Sequence, residues 1–364
     1  MRVVLVTTIE RGGPIEQALL LARGLARQGA SVLVTCANVQ LAERFAVDGV
    51  RAAVVPLRHQ GDVAGAARVW RLARGADVIH AHDRRAGLWT RIGPRPRRRG
   101  LRVYTAHGIP EPYHPPPVGP ERPGWKATLL YRGLDGGLCR RADAIVVPSR
   151  AVADDLVARL GYPRRLLHVI PNGIELPSPR EHDGELIGTF SVLEQFKGID
   201  VFLRAVARLA PERPEWRFAS FGVGSDAERL RALAAELGIA ERIEWPGFVP
   251  GPQARARLRV YVLSSYWENA PMALLEAMAD GVPVVATAVD GVPEIVDETT
   301  ARMVPSGDPA ALAAAIEQAV GDQAGTAARV AAARRRVEER YTAERNAEAI
   351  GALYERLLRG EASR

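Results

Sequence analysis

Lysine is almost missing from this chain. Of 49 basic residues in 364 positions, only Lys126 and Lys197 are lysines; the rest are arginines. Cysteine is as scarce: Cys36 and Cys139 lack metal-ligand and redox spacing. That excludes a cysteine-built metal site, and both residues read as buried small apolar groups in a reducing compartment. No apolar run reaches the roughly 18 residues of a spanning helix. The chain enters a strand-like run, Val3 to Val6, after a single arginine, without a signal peptide's longer apolar stretch and cleavage site. The expected location is cytoplasmic. No Asp-x-Asp triplet appears, so nothing points to a catalytic metal, and no recognisable nucleic-acid-binding module is present.

What is present is repetition. Short apolar runs alternate with amphipathic stretches: Val3 to Val6, Ser31 to Cys36, Ala52 to Val55, Asp77 to His80, Leu101 to Thr105, Asp143 to Val147 and Leu166 to Ile170 read as strands. Helical spacing, as in Ile15 to Arg27, fills the gaps. Strand–helix alternation argues a parallel sheet covered on both faces. The pattern pauses at residues 171–184, a stretch rich in proline, glycine and polar residues, and resumes at Glu185. The expected fold class is therefore α/β with two domains: 1–170, a linker 171–184, and 185–344. In the tail, Ala349, Ile350, Leu353, Tyr354 and Leu357 share one helical face that needs a partner surface.

The net charge of +7 hides a split, +14 over residues 1–170 and −7 over 171–364. One reading is a general preference for arginine. The other is that the first half meets something anionic, such as a membrane surface. Arg91, Arg95, Arg97, Arg98 and Arg99, beside the amphipathic stretch Arg84 to Ile92, would pull that surface onto anionic lipid, or form a solvated loop. The loop from His107 to Trp125 carries seven prolines. It follows a first-domain strand, where it would shape an acceptor pocket or be a surface excursion.

The segment richest in chemistry is Ser264 to Gly281. A strand, Val260 to Leu263, ends in a polar turn. Pro271 suits a first helical turn, with Asn269 or Ala270 as cap. Open N–H groups over Ala270 to Ala273 would suit a diphosphate. Glu268 and Glu276 would project towards one pocket and accept hydrogen bonds from sugar and ribose hydroxyls. On spacing alone, two surface glutamates on an ordinary amphipathic helix are the better reading, since a pair of glutamates eight residues apart is common.

Glu268-x7-Glu276, running on through Ala277-Met278-Ala279-Asp280-Gly281-Val282-Pro283 to Asp290-Gly291-Val292-Pro293-Glu294, resembles the signature of glycosyltransferase family 4. Gly12-Gly13, Asp77 to Asp83, Tyr104 to Gly108 and Val169 to Ile174 resemble the family's other landmarks. The resemblance implies a GT-B fold of two facing Rossmann-like domains, with the C-terminal helix, about 345–364, crossing back to the N-terminal acceptor domain. It implies a retaining, metal-independent hexosyltransferase-type enzyme without cofactor. The donor is a nucleoside-diphosphate sugar; the acceptor is carbohydrate, lipid-linked or a small molecule. The protein would be cytoplasmic or peripheral on the inner face of the membrane. His107, Lys197 and Glu268 would be catalytic. Phe248 and Val249 would lie against the nucleobase. Asn269, Ala270, Pro271, Met272 and Leu275 would line the donor, and Glu276 would bind ribose. Gly12 and Gly13 would form the phosphate or acceptor loop. His80 and His82 are weaker candidates, with His80 read as packing.

Lys197 also stands out unaided, because a chain that spends arginine everywhere else has placed a compact ammonium before a helix, Ile199 to Leu209. One departure from the family remains. Its phosphate-binding arginine would fall at Val192, or at Thr189 in another alignment, and neither carries charge. Two alternatives therefore stay open: a GT-B nucleotide-sugar epimerase, and a degenerate, non-catalytic nucleotide-sugar-binding member.

Overall fold

The computed structural model describes residues 1–114, 117–120, 122–178 and 184–361. It falls into two compact units. One comprises Met1–Tyr113, Glu121–Glu175 and Tyr341–Arg364, the other His114–Pro120 and Leu176–Arg340. The proline-rich loop thus divides: His114–Pro120 packs with the second unit, not the first. Residues 179–183 of the expected linker, Pro115, Pro116 and Glu121 of the loop, and residues 362–364 of the tail lie outside the described residues.

The first unit is built on seven strands, β1 (Arg2–Val6), β2 (Ser31–Cys36), β3 (Arg51–Val54), β4 (Val78–Ala81), β5 (Leu101–Thr105), β6 (Ala144–Val147) and β7 (Leu167–Val169). All pair in parallel, in the order β3-β2-β1-β4-β5-β6-β7. The apolar residues of β1, β2, β4, β5 and β6 are buried on both faces, as a helix-covered parallel sheet requires. The strand order reverses between β1 and β4, and in open α/β sheets such a reversal opens a crevice at the strands' carboxyl ends.

The tail helix, Ala343–Leu358, belongs to this unit and packs on the helix Gly13–Arg27. Ile350, Leu353 and Tyr354 point inward as expected, but Ala347 takes the place foreseen for Ala349, which is exposed. Gln17 and Asn346 hydrogen-bond within this contact at 3.1 Å. Gln17 also accepts from the Gly173 N–H, and Asn346 donates to the Pro171 carbonyl. These two amides fix the chain as it leaves the first sheet.

The second unit has β8 (Leu186–Phe190), β9 (Arg217–Phe221), β10 (Ile243–Gly247), β11 (Leu258–Leu263), β12 (Val284–Thr287) and β13 (Arg302–Val304). They too are parallel, ordered β10-β9-β8-β11-β12-β13. Here the reversal falls between β8 and β11. The loop after β8 carries Lys197 and the loop after β11 carries Glu268. Topology alone brings the two candidate residues to one crevice.

Candidate functional site

The two switch-point loops of the second unit are fastened to each other. Gln195–Lys197 forms a short 3-10 turn, and Gly198 follows with φ 58° before the helix Ile199–Leu209. A Cβ on Gly198 would lie 2.1 Å from the Ser264 carbonyl oxygen, so only glycine lets the loops close. Ser264 Oγ donates to the Lys197 carbonyl at 3.2 Å, and Tyr266 N–H to the Phe196 carbonyl at 2.8 Å. Lys197 Nζ consequently meets Glu268 Oε1 at 2.6 Å, and Ser265 Oγ donates to the same oxygen at 2.8 Å. Both charged side chains are largely buried, so the pair sits where charge counts for more than in water.

Asp290, part of the family-like run after Glu276, braces Glu268. Its Oδ2 accepts from the Glu268 N–H at 3.1 Å, and the next N–H, of Gly291, donates to the Glu268 carbonyl at 3.2 Å. Asp290 has φ 40°, a left-handed conformation that aspartate tolerates better than most residues. Glu268 is thus clamped through both its main chain and its carboxylate.

The helix after Glu268 is Met272–Ala279, one or two residues later than expected. Pro271 is the cap rather than the first helical residue, because its ψ of 116° is extended. Neither Asn269 nor Ala270 caps it. The leading N–H groups are those of Met272 and Ala273, since Leu274 N–H already bonds to the Pro271 carbonyl. Asn269, Ala270 and Met272 are half-buried; Leu275 is wholly buried, so its side chain serves the core.

Glu276 does not join Glu268 and Lys197. It is held by Arg255, from the helix Gly251–Ala256, whose Nη1 bonds to Glu276 and whose Nε bonds to Asp280. Arg255 is buried and stacks over Phe190 at 5.8 Å. Nothing local in the sequence marks it, since it is one arginine among many. Phe248 is 77% exposed and Val249 half-buried on the loop after β10. Thr189 is buried against Ser220 at 3.0 Å, and Val192 is exposed, so neither position supplies a cation. His114, counted with the second unit, stacks on Trp267 at 3.9 Å, next to Glu268.

In the first unit, Gly12 has φ 92° and opens the helix Gly13–Arg27, so the loop after β1 needs glycine there. Asp83, at the end of β4, accepts from Thr8 N–H at 2.5 Å and from Thr8 Oγ1 at 2.8 Å, tying that loop down. Three histidines lie at this end of the sheet, His80 in β4, His82 just after it and His107 after β5. His80 is fully buried between Tyr354 Oη at 2.5 Å and Thr105 Oγ1 at 2.7 Å, which is a packing role. His82 stacks on it at 4.4 Å, and His107 lies 5.9 Å beyond. Both ring nitrogens of His82 and Nε2 of His107 lack a protein partner. Burial depresses all three: His80 to about 3, His107 to about 4 despite a hydrogen bond to the His82 backbone, and His82 well below the usual range. The cluster is neutral at physiological pH and can offer hydrogen bonds to hydroxyl groups without adding charge.

Arg91 leaves the expected lipid-facing group. It is 1% exposed, with Nη2 on Asp135 Oδ1 at 2.5 Å and Nε on the Gly87 carbonyl at 2.7 Å. Its position on the inner face of the helix Arg84–Ile92 puts it in the core. Arg95 and Arg97 pair with Asp143 and Asp77.

The family model described as Glycosyltransferase Family 4 matches residues 11–177, and that described as Glycosyl transferases group 1 matches 184–322. The lipopolysaccharide core biosynthesis mannosyltransferase LpsB of Rhizobium meliloti is 32% identical over 249 residues, 63% of this chain and 70% of that protein. The chain belongs to glycosyltransferase family 4. The putative colanic acid biosynthesis glycosyltransferase WcaL of Escherichia coli K12 is 31% identical over 192 residues, 48% of this chain, and the match spans 47% of that protein's length. Anabaena Alr3699/HepE, solved in complex with UDP-glucose, shares the fold at a TM-score of 0.82 and 21% identity, covering 98% of this chain and 99% of that one. The two Rossmann-like units are those of the GT-B fold.

Proposed function

We propose that this family 4 member transfers a sugar from a nucleoside diphosphate to an acceptor with retention of anomeric configuration. The observation that supports it best is the Lys197–Glu268 pair at the switch point of the second sheet, with Glu276 on the helix that follows. Lys197 and the Met272 and Ala273 N–H groups would take the charge of the leaving diphosphate, a preorganised electrostatic site. Glu268 would accept hydrogen bonds from donor-sugar hydroxyls, and Glu276, oriented by Arg255, from ribose hydroxyls. Phe248 and Val249 would flank the base. His107 would meet the donor sugar or the acceptor as a neutral hydrogen-bonding group. No step needs a metal ion in this scheme. The names of the relatives point to polysaccharide or lipopolysaccharide acceptors, and the basic first half favours an acceptor at an anionic membrane face.

The test is incubation with UDP-, GDP- and ADP-sugars and mixed glycan acceptors, with and without a chelator. Transfer from one donor that survives chelation and is lost in Glu276→Ala supports the proposal. Strict dependence on added metal would overturn metal independence. Acceptor-independent conversion of the donor would favour an epimerase. Donor binding without turnover would favour a non-catalytic binder, the reading to which Val192 lends weight.

A further inference from the structure

Residues 125–138 of the first unit form a helical stretch whose apolar spacing is not that of an α-helix. It runs through Trp125–Ala127, a π-helical Thr128–Asp135 and Gly136–Leu138, with αR dihedrals at Ala127, Thr128 and Gly136. In a π-helix the i→i+5 bonding brings residues four and five apart onto one stripe. Trp125, Leu129, Leu130 and Leu134 have that spacing. They are 73%, 60%, 38% and 58% exposed. An apolar stripe of that kind on a soluble surface marks an interaction site.

The inner face of the stretch explains why the stripe points outward. Asp135 is held by Arg91 at 2.5 Å and by Tyr162 Oη at 2.7 Å. A Cβ on Gly136 would lie 2.4 Å from the Leu160 carbonyl, so the backbone is seated tightly there. Arg84 covers the Tyr131 ring at 4.7 Å. The stretch is pinned by its polar side and cannot roll its leucines into the core.

Charge says what covers the stripe. Residues 122–141 contain Arg122, Lys126, Arg132, Arg140 and Arg141, all exposed, and one acid, Asp135, which is buried and already paired. Lys126 Nζ lies 5.6 Å from the Trp125 ring centroid, so a cation flanks the aromatic anchor. A second copy of this chain would set five cations against five cations. An anionic bilayer meets both features: acyl chains for the stripe, headgroups for the cations, and a tryptophan at their boundary.

We propose that residues 125–138 are an interfacial segment by which the first unit docks on an anionic lipid surface. The proposal does not rest on the donor chemistry; it replaces Arg91 and its neighbours as the place of contact.

The experiment is flotation of the full chain with phosphatidylcholine vesicles and with an equimolar phosphatidylcholine–phosphatidylglycerol mixture. Wild type should bind the anionic vesicles at least about tenfold better, and less at high salt. Trp125→Ser, Leu129→Ser and Leu134→Ser together should lower that binding about tenfold while leaving circular dichroism unchanged, since all three are exposed. Lys126→Gln with Arg132→Gln should weaken it and reduce its salt dependence. Arg98→Gln with Arg99→Gln should leave it intact. Equal binding to both vesicle types, or a triple variant that floats like wild type, would overturn the proposal. So would a wild-type dimer without vesicle binding that the triple variant dissociates, which would give the stripe to a second copy.

Discussion

Each sheet reverses its strand order once, and candidate residues lie on the loops at each reversal, Gly12, Gly13 and His82 in the first and Lys197 and Glu268 in the second, yet the two places differ in electrostatics. The second unit gathers Lys197, Glu268, Glu276 and Arg255 at or beside its reversal, with Asp290 clamping Glu268. The first unit offers glycine, threonine and histidines that burial keeps neutral. Its strongest buried charge pair, Arg91–Asp135, lies behind the surface and anchors a helix. A diphosphate and a ribose ask for cations and hydroxyl acceptors, whereas a neutral sugar acceptor asks for hydrogen bonds without charge. The same topology is furnished for two kinds of ligand.

If that contrast holds, removing a charge from the first unit should cost stability, and removing one from the second should cost turnover. The largest effect is expected from Asp135→Ala. It strands a buried guanidinium and should lower unfolding free energy by roughly 3–5 kcal/mol, read by urea denaturation. Lys197→Ala comes next: the loss of a preorganised charge should reduce kcat/KM about 100- to 1,000-fold, roughly 3–4 kcal/mol, under steady-state assay with the preferred donor. A loss below tenfold would remove Lys197 from the site.

The histidines sharpen the comparison through pH. Their folded pKa values lie below the unfolded value of about 6.5, so below that point the unfolded chain binds protons that the folded chain refuses. Stability should therefore fall as pH drops from about 6.5 towards 4, where His107 begins to titrate in the folded state. The slope should approach about 1.4 kcal/mol per pH unit for each histidine. His107→Gln should remove one such share, visible as a flatter plot of midpoint denaturant against pH. The smallest effect is a gain. Val192→Arg would supply the charge that one alignment with the family pattern puts there, and should tighten donor binding by about 1.5 kcal/mol, near tenfold, by calorimetry.

Much of this was legible in the sequence because parallel strands bury both faces and so appear as unbroken apolar runs. Ser31–Cys36 and Leu101–Thr105 matched in full, and the other strands shifted by a residue or two at their ends. Lys197 was legible because lysine is a rare choice in this chain. Arg91 and Arg255 were not. Each is buried by a carboxylate far along the chain, Asp135 and Glu276, and an arginine in an arginine-rich sequence gives no hint of that. The helix start moved to Met272 because proline's fixed φ leaves ψ free, and here ψ is extended. The π-helical stretch escaped because its stripe repeats every four to five residues, not every 3.6.

The central claim is that the charged switch point of the second unit binds a nucleoside diphosphate. Titration calorimetry of the full chain with UDP, GDP and ADP, in the presence of a chelator, tests it most directly. The account predicts binding of one nucleotide, weakened at least about tenfold by Glu276→Ala and by Lys197→Ala separately. No binding by any of the three, or binding that both variants leave unchanged, would contradict it.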